Sequence, residues 1–131
     1  MSAPKRLLVL DDERRFAEHI TEVARALGYA AVATNSAHEF QLEYLAAPPD
    51  VIVLDIVMPV KDGIEVMRWL VDNGCRARIL IISGFSPSFA HAAQVIGESQ
   101  GHLQITQMSK PVKLAELRAR LTEGLVTTGS A

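Results

Sequence analysis

The sequence has one cysteine and no apolar run long enough to cross a membrane. The single thiol, Cys75, cannot form an intrachain disulfide, and such sparse cysteine use is typical of a reducing cytoplasm. No apolar segment approaches the ~20 residues that a membrane-spanning helix needs. The first residues lead directly into a strand-like run, which argues against a signal peptide. We therefore expect a cytoplasmic protein without membrane contact.

A strong charge of either sign is also missing. Thirteen basic and fifteen acidic residues give a net charge of −2. Broad binding to nucleic acid requires clustered Lys and Arg, so no nucleic-acid partner is expected. The four histidines show no metal-ligand spacing, and we expect them to lie on helix surfaces or in loops.

Apolar residues, by contrast, are plentiful, and they make up 49% of the 131 residues. A chain of this length can bury a core without disulfides or a structural metal. We expect residues 1–131 to form a single domain with its core at about 5–125. Residues 127–131 look like a frayed tail.

Short strand-like runs, of which the second is weak and the fifth more polar, alternate with helical patterns along the whole chain. The predicted strands are residues 7–10, 30–33, 51–54, 79–82 and 103–108, and the predicted helices are residues 16–27, 37–45, 64–71, 89–96 and 114–121. Residues 59–63 are predicted to be a loop. Strict alternation implies a parallel sheet covered by helices on both faces. Right-handed crossovers with one reversal give a flavodoxin-like (βα)5 three-layer sandwich with strand order 2-1-3-4-5.

Polar side chains stand where the predicted strands end. In such a sheet, ligands bind beyond the carboxyl ends of the strands, near the reversal of strand order. We expect the residues at these ends to converge on one cleft. They are Asp11-Asp12-Glu13, Asp55, Ser83-Gly84 and Lys110-Pro111.

This set of residue types suits phosphoryl transfer. Crowded carboxylates repel one another unless a cation joins them, and Mg²⁺ suits an oxygen-lined site that also handles phosphate. The carboxylate of Asp55 can act as a nucleophile and form an acyl phosphate. Lys110 can neutralise the developing charge, and the Ser83 hydroxyl can donate to a phosphoryl oxygen.

Each feature also has an ordinary structural explanation. An acidic pair after a strand is common in turns and helix caps, and a lone Asp55 could cap a helix. Ser83-Gly84 alone suggests a turn, and Lys110-Pro111 alone suggests a helix start. The joint placement of all of them at strand ends favours the functional interpretation.

These residues resemble the receiver domain of bacterial response regulators, and the resemblance runs from about Arg6 to Leu121. The matching segments are Leu10-Asp11-Asp12-Glu13, Val53-Leu54-Asp55-Ile56-Val57-Met58-Pro59, Asp62-Gly63, Ile82-Ser83-Gly84 and Lys110-Pro111. The resemblance implies that Asp55 is the phosphoacceptor. It also implies that Asp12 and Asp55 bind Mg²⁺ directly, Asp11 acts through a water, and the carbonyl of Val57 is a further ligand.

The resemblance assigns roles to two more side chains. Ser83 matches the hydroxyl residue that shifts toward the phosphoryl group, and Lys110 matches the lysine that pairs with it. The peptide bond between Lys110 and Pro111 is expected to be cis.

Two departures from the receiver pattern affect function. Gln107 replaces an aromatic residue that changes rotamer in many receivers, and Val57 replaces a residue that is often polar.

The function implied by the resemblance is a signalling switch. A histidine kinase or phosphotransfer protein would donate the phosphoryl group, and the chain would promote only its own phosphorylation and dephosphorylation. No second domain pattern follows Leu121, so we expect a stand-alone receiver. Its output would be contact with a protein partner through the fourth predicted helix, the fifth strand and the last helix.

Two other functions remain open. A binding module that keeps the fold but ignores phosphate is mildly favoured by Gln107 and disfavoured by the complete Asp, Ser and Lys set. A Mg²⁺-dependent phosphohydrolase would need a general acid two residues after Asp55, and Val57 cannot serve as one. We rank the hydrolase last.

Overall fold

The computed structural model describes residues 4–56, 60–83, 95 and 103–126, and within them it contains five strands and four helices. The strands are β1 (Arg6–Leu10), β2 (Ala30–Thr34), β3 (Val51–Ile56), β4 (Arg78–Ser83) and β5 (Gln104–Ser109). The helices are α1 (Arg14–Ala26), α2 (Ala37–Ala46), α3 (Val60–Asp72) and α4 (Leu114–Val126). None of these helices combines the length and the apolar character that a membrane span requires.

All five strands pair in parallel in the order β2-β1-β3-β4-β5, which confirms the predicted fold. The chain moves outward from β1 to β2 and then returns past β1 to β3. The register places Leu10 beside Leu54 and Asp55 beside Ile82. Ser83 lies beside Ser109, so the last residues of these strands lie along one edge of the sheet.

Alternate residues of each strand feed two separate core layers, because successive side chains of a strand point to opposite faces. One layer joins Leu8, Leu10, Ile52, Leu54, Ile79 and Ile81 to the buried residues of α2 and α3. The other joins Leu7, Val9, Val51, Val53, Leu80 and Ile82 to the buried residues of α1 and α4. The central strands are therefore apolar on both faces, as their sequences predicted.

Three aromatic side chains close the layer beneath α2 and α3. Tyr44 and Trp69 meet edge to face with ring centroids 5.1 Å apart, and Phe40 lies 6.3 and 6.4 Å from them. Cys75 is buried in the same layer, and burial raises the pKa of its thiol. Cys75 is thus a packing residue of this layer.

Local signals explain how the first two helices are delimited. Gly28 follows α1 with φ of +108°, a conformation that costs a side-chain-bearing residue far more than glycine. Ser36 caps α2 by accepting the backbone N–H of Glu39 at 3.1 Å. The Glu39 carboxylate in turn accepts the backbone N–H of Asn35, so the entry to α2 is fixed from both sides.

The predicted loop is wrong at residues 60–63, because α3 begins at Val60, and Pro59 lies outside the described residues. Gly63 lies in the first turn of this helix, where backbone N–H groups have no partner inside the helix. The glycine in this turn costs about 1 kcal/mol of helix propensity. Burial of Val66, Met67 and Leu70 against the sheet outweighs that cost.

Apart from Val95, the predicted helix at residues 89–96 lies outside the described residues and stays a prediction.

The end of α4 is attached to the opposite edge of the sheet from the predicted cleft. Tyr29 donates its hydroxyl to the carbonyl of Leu121 at 2.7 Å, and Lys5 Nζ donates to the carbonyl of Gly124 at 2.7 Å. Gly124 is buried against the Tyr29 side chain. A Cβ at position 124 would lie 2.5 Å from Tyr29 Oη and 3.1 Å from Val51 Cγ2. The close approach therefore favours glycine.

We predict that Gly124→Ala lowers the free energy of unfolding by about 1 to 2 kcal/mol, even though alanine is the better helix former. Urea unfolding followed by the fluorescence of Trp69, the only tryptophan, measures this loss. In a Tyr29→Phe background the closest clash is absent, so the same substitution should cost less there. An equal cost in both backgrounds would contradict the steric explanation.

Candidate functional site

The structure gathers the predicted site residues at the carboxyl edge of the sheet. Asp11 follows β1, Asp55 is the fifth residue of β3, Ser83 ends β4 and Lys110 follows β5. Because β1, β3, β4 and β5 are successive neighbours, these four positions lie side by side. The parallel topology thus brings together residues that are up to 99 positions apart, from Asp11 to Lys110.

The central contact of this site is an ion pair between Lys110 and Asp55. Lys110 Nζ lies 2.8 Å from Asp55 Oδ2. The Asp55 side chain is fully buried, whereas that of Lys110 is 26% exposed. A buried carboxylate is costly unless a cation or hydrogen-bond donors compensate it. The positive charge of Lys110 therefore compensates the buried negative charge of Asp55 from the solvent side of the site.

A second carboxylate, Asp11, is buried beside this pair. The side chain of Asp11 has no exposed surface, and its Oδ1 accepts the backbone N–H of Glu13 at 2.8 Å. Burial raises the pKa of Asp11 to about 7, the Glu13 N–H opposes the rise, and the neighbouring Asp55 adds to it. Near neutral pH the site therefore holds a carboxyl group that is poised to gain or lose a proton.

The end of β2 supports Asp11, and sequence reasoning missed this contribution. The Asp11 N–H donates to the carbonyl of Thr34 at 3.1 Å, and Asn35 Nδ2 donates to the carbonyl of Asp11 at 3.3 Å. The buried Thr34 hydroxyl donates to the carbonyl of Val9 at 2.6 Å. The signal was available, because the predicted strand order makes β2 a neighbour of β1 and places Thr34-Asn35 at its carboxyl end.

The oxygen atoms of the two buried carboxylates fit a hard divalent cation. With both groups ionised, Asp11 Oδ2 and Asp55 Oδ1 receive no hydrogen bond from the described residues, and Asp55 Oδ2 has only the Lys110 ammonium. When Asp11 is protonated, its carboxyl group can hydrogen-bond to Asp55. As carboxylates, these two groups carry more negative charge than one lysine neutralises. Carboxylate oxygens are the ligands that Mg²⁺ prefers, so the donor set and its charge both suit this ion.

The remaining predicted ligands are placed less completely. Asp12 is exposed, and Val57 and the Ser83 side chain lie outside the described residues. Within the described part of the chain, no three His, Cys, Asp or Glu side chains form a ready metal cluster. The ligand set Asp11, Asp12, Asp55 and Val57 and the role of Ser83 therefore stay predictions.

One contact in the site had no counterpart in the sequence analysis. The ammonium of Lys110 lies over the ring of Phe16, 4.9 Å from its centroid. Phe16 is the third residue of α1 and is half-buried against the core layer between α1 and the sheet. The Lys110–Pro111 peptide bond is cis, as expected.

Comparisons with known proteins identify a family and a fold that this chain matches. The family model of the response regulator receiver domain matches residues 7–122. Response regulator MprA of Mycolicibacterium vanbaalenii is 32% identical over 119 residues, which are 90% of this chain and 49% of that protein. The chain thus spans about half the length of the curated relatives that it matches.

Solved structures show the same fold. The crystal structure of a response regulator from Colwellia psychrerythraea matches with a TM-score of 0.76 at 26% identity, over 93% of this chain and 96% of that one. Chemotaxis protein CheY4 of Vibrio cholerae matches with a TM-score of 0.76 at 21% identity, over 92% and 98% of the two chains. The likeness to the latter concerns the fold alone.

The raised pKa of Asp11 predicts how stability depends on pH when divalent metal is removed. A carboxyl that binds its proton more tightly when folded stabilises the protein below its unfolded pKa of 3.8, and this contribution is lost as pH rises through about 7. Urea unfolding in chelator should therefore show a decrease in stability between pH 5 and pH 8. Asp11→Asn, which keeps an oxygen for the Glu13 N–H, should flatten this decrease, and an unchanged slope would contradict the assignment.

Proposed function

The chain belongs to the response regulator receiver domain family, and on this premise we propose that it is a phosphorylation-dependent signalling switch whose phosphoacceptor is Asp55. The observation that carries the proposal is the state of Asp55. Its carboxylate is buried, one oxygen meets the Lys110 ammonium at 2.8 Å, and the other receives no hydrogen bond from the described residues. A carboxylate oxygen that receives no hydrogen bond, next to a cation at 2.8 Å, is suited to nucleophilic attack.

The proposed reaction transfers a phosphoryl group from a histidine kinase or phosphotransfer protein. An oxygen of Asp55 attacks phosphorus, and an O–P bond forms while the N–P bond of the donor phosphohistidine breaks. The electron pair of that bond returns to the imidazole nitrogen. Lys110 lies close enough to Asp55 to follow the negative charge onto the phosphoryl oxygens.

We assign the proposed Mg²⁺ to the same edge of the sheet. Asp11, Asp12, Asp55 and the carbonyl of Val57 would hold the ion. When bound, it supplies neutralisation of the carboxylates and of the transferred phosphoryl oxygens. The unpaired oxygens of Asp11 and Asp55 support this part of the proposal.

The proposed output is contact with a protein partner through one face of the domain. This face consists of the predicted helix at residues 89–96, strand β5 and the last helix, α4. Phosphorylation would bias two arrangements of this face, and a full reversal of their populations requires a differential of about 5.5 kcal/mol. Gln107 on β5 is exposed and stands where many receivers carry an aromatic residue, so polar contacts would have to replace a ring rotation. We propose no turnover beyond the chain's own phosphorylation and dephosphorylation.

Intact-mass measurement after incubation with acetyl phosphate and Mg²⁺ tests the phosphoacceptor. We predict a single phosphoryl adduct on the native chain, none on Asp55→Ala, and none when a chelator replaces Mg²⁺. Asp50→Ala provides a matched control, because Asp50 lies at the opposite end of β3, and it should still be phosphorylated. A native chain that takes no adduct would instead favour the phosphate-independent binding module that Gln107 suggests.

Metal binding should stabilise the fold in a pH-dependent way. Mg²⁺ competes with the proton that Asp11 holds below its pKa of about 7, so addition of Mg²⁺ should raise the urea midpoint more at pH 8 than at pH 5.5. Asp55→Asn, which removes a buried charge from the site, should largely abolish the increase. Equal stabilisation of both proteins at both pH values would argue for Mg²⁺ binding elsewhere.

A further inference from the structure

Phe16 joins the hydrophobic core to the charged site. Its ring packs against the layer that contains Ala17, Ile20 and Val53, while the Lys110 ammonium lies 4.9 Å from the ring centroid. A cation within ~6 Å of an aromatic centroid is attracted by the negative face of the ring. Phe16 thus contacts the one described cation that meets Asp55.

Lys110 has two different kinds of support in this arrangement. Its ammonium carries three N–H donors, and Asp55 Oδ2 at 2.8 Å is the carboxylate oxygen that it faces. The Phe16 ring attracts the charge as a whole and does not need a directed hydrogen bond. The ring can therefore hold the ammonium in place while its hydrogen-bond partner changes from a carboxylate to a phosphoryl oxygen.

A flexible side chain makes such support useful. The four-carbon stem of lysine is flexible because its bonds rotate freely. The side chain of Lys110 is also 26% exposed, so water competes for the ammonium on its open side. A single ion pair fixes the distance to Asp55 but leaves the direction of approach free. A second attraction from α1 restricts the ammonium to the region between the ring and the carboxylate.

We propose that Phe16 is a positioning residue for phosphoryl transfer, acting through Lys110. This inference rests on the proposed function of Asp55 as the phosphoacceptor. An aliphatic residue at position 16 would preserve the packing against α1's core layer but would lose the attraction for the ammonium. Phosphorylation should therefore depend on an aromatic ring at this position and not merely on an apolar side chain.

The kinetic test compares Phe16→Leu with Phe16→Trp. With acetyl phosphate and Mg²⁺ at fixed pH, Phe16→Leu should be phosphorylated roughly three- to tenfold more slowly than the native chain. Phe16→Trp keeps an aromatic face and should stay within about threefold of the native rate. An unchanged rate for the leucine variant, or an equal loss in the tryptophan variant, would overturn the proposal.

A matched control separates positioning from general packing. Leu27 is half-buried against the same core layer at the other end of α1. Leu27→Ala should lower the urea midpoint yet leave the phosphorylation rate unchanged. If Leu27→Ala slows phosphorylation as much as Phe16→Leu does, the effect comes from a weakened fold and the proposal fails.

A second measurement needs no phosphoryl group. In proton NMR spectra recorded with a chelator present, the ring current of Phe16 should move the Lys110 ε-methylene resonances upfield. Phe16→Leu should return these resonances toward the positions of the other lysines. Lys110→Arg assigns the signal by removing it. Resonances that do not respond to Phe16→Leu would overturn the inference even if Asp55 is phosphorylated. A native chain that shows the ring-current shift but takes no phosphoryl group would instead refute the proposed function.

Discussion

The site depends on an imbalance of charge at the carboxyl edge of the sheet, where two buried carboxylates share one ammonium. Asp55 meets Lys110 at 2.8 Å, and the buried Asp11 lies beside it with a pKa raised to about 7. Such a cluster is costly in a low-dielectric interior unless protons or further cations compensate it. The cluster therefore favours binding of a proton, binding of a divalent cation, or a movement of the lysine. Each of these changes the charge that a partner would meet.

The fold limits the energetic cost of burying these charges because it confines the polar cluster to the carboxyl edge of the sheet. Below it, alternate residues of β1, β3 and β4 are buried on both faces of the sheet, and the two core layers leave the strands little freedom to move apart. The end of β2 then secures Asp11 through Thr34 and Asn35. At the opposite edge, hydrogen bonds from Lys5 and Tyr29 attach α4 to the sheet.

Receiver function, as we propose it, follows from this arrangement. Phosphorylation of Asp55 would replace a carboxylate with a larger and more negative group, and Lys110 is the described cation that lies closest to the change. Support from the Phe16 ring lets the lysine exchange one anionic partner for another without leaving the site. The switch then acts through electrostatics between fixed elements, and the sheet supplies their fixed positions.

Local sequence patterns determined the strands, their order and the residues at their ends. Apolar runs that stop at Asp11 and Asp55, and a more polar strand before Lys110, are readable without coordinates, because strand burial and parallel topology follow from periodicity and alternation. The start of α3 at Val60 was not readable, since packing of Val66, Met67 and Leu70 overrode loop-like composition.

Only the tertiary structure decided the support of Asp11 by Thr34 and Asn35 and the contact of Lys110 with Phe16. These contacts depend on strand register and on the rotation of α1 about its axis, which no local pattern specifies. The raised pKa of Asp11 has the same origin, because it comes from burial and from a carboxylate 44 residues away, at Asp55.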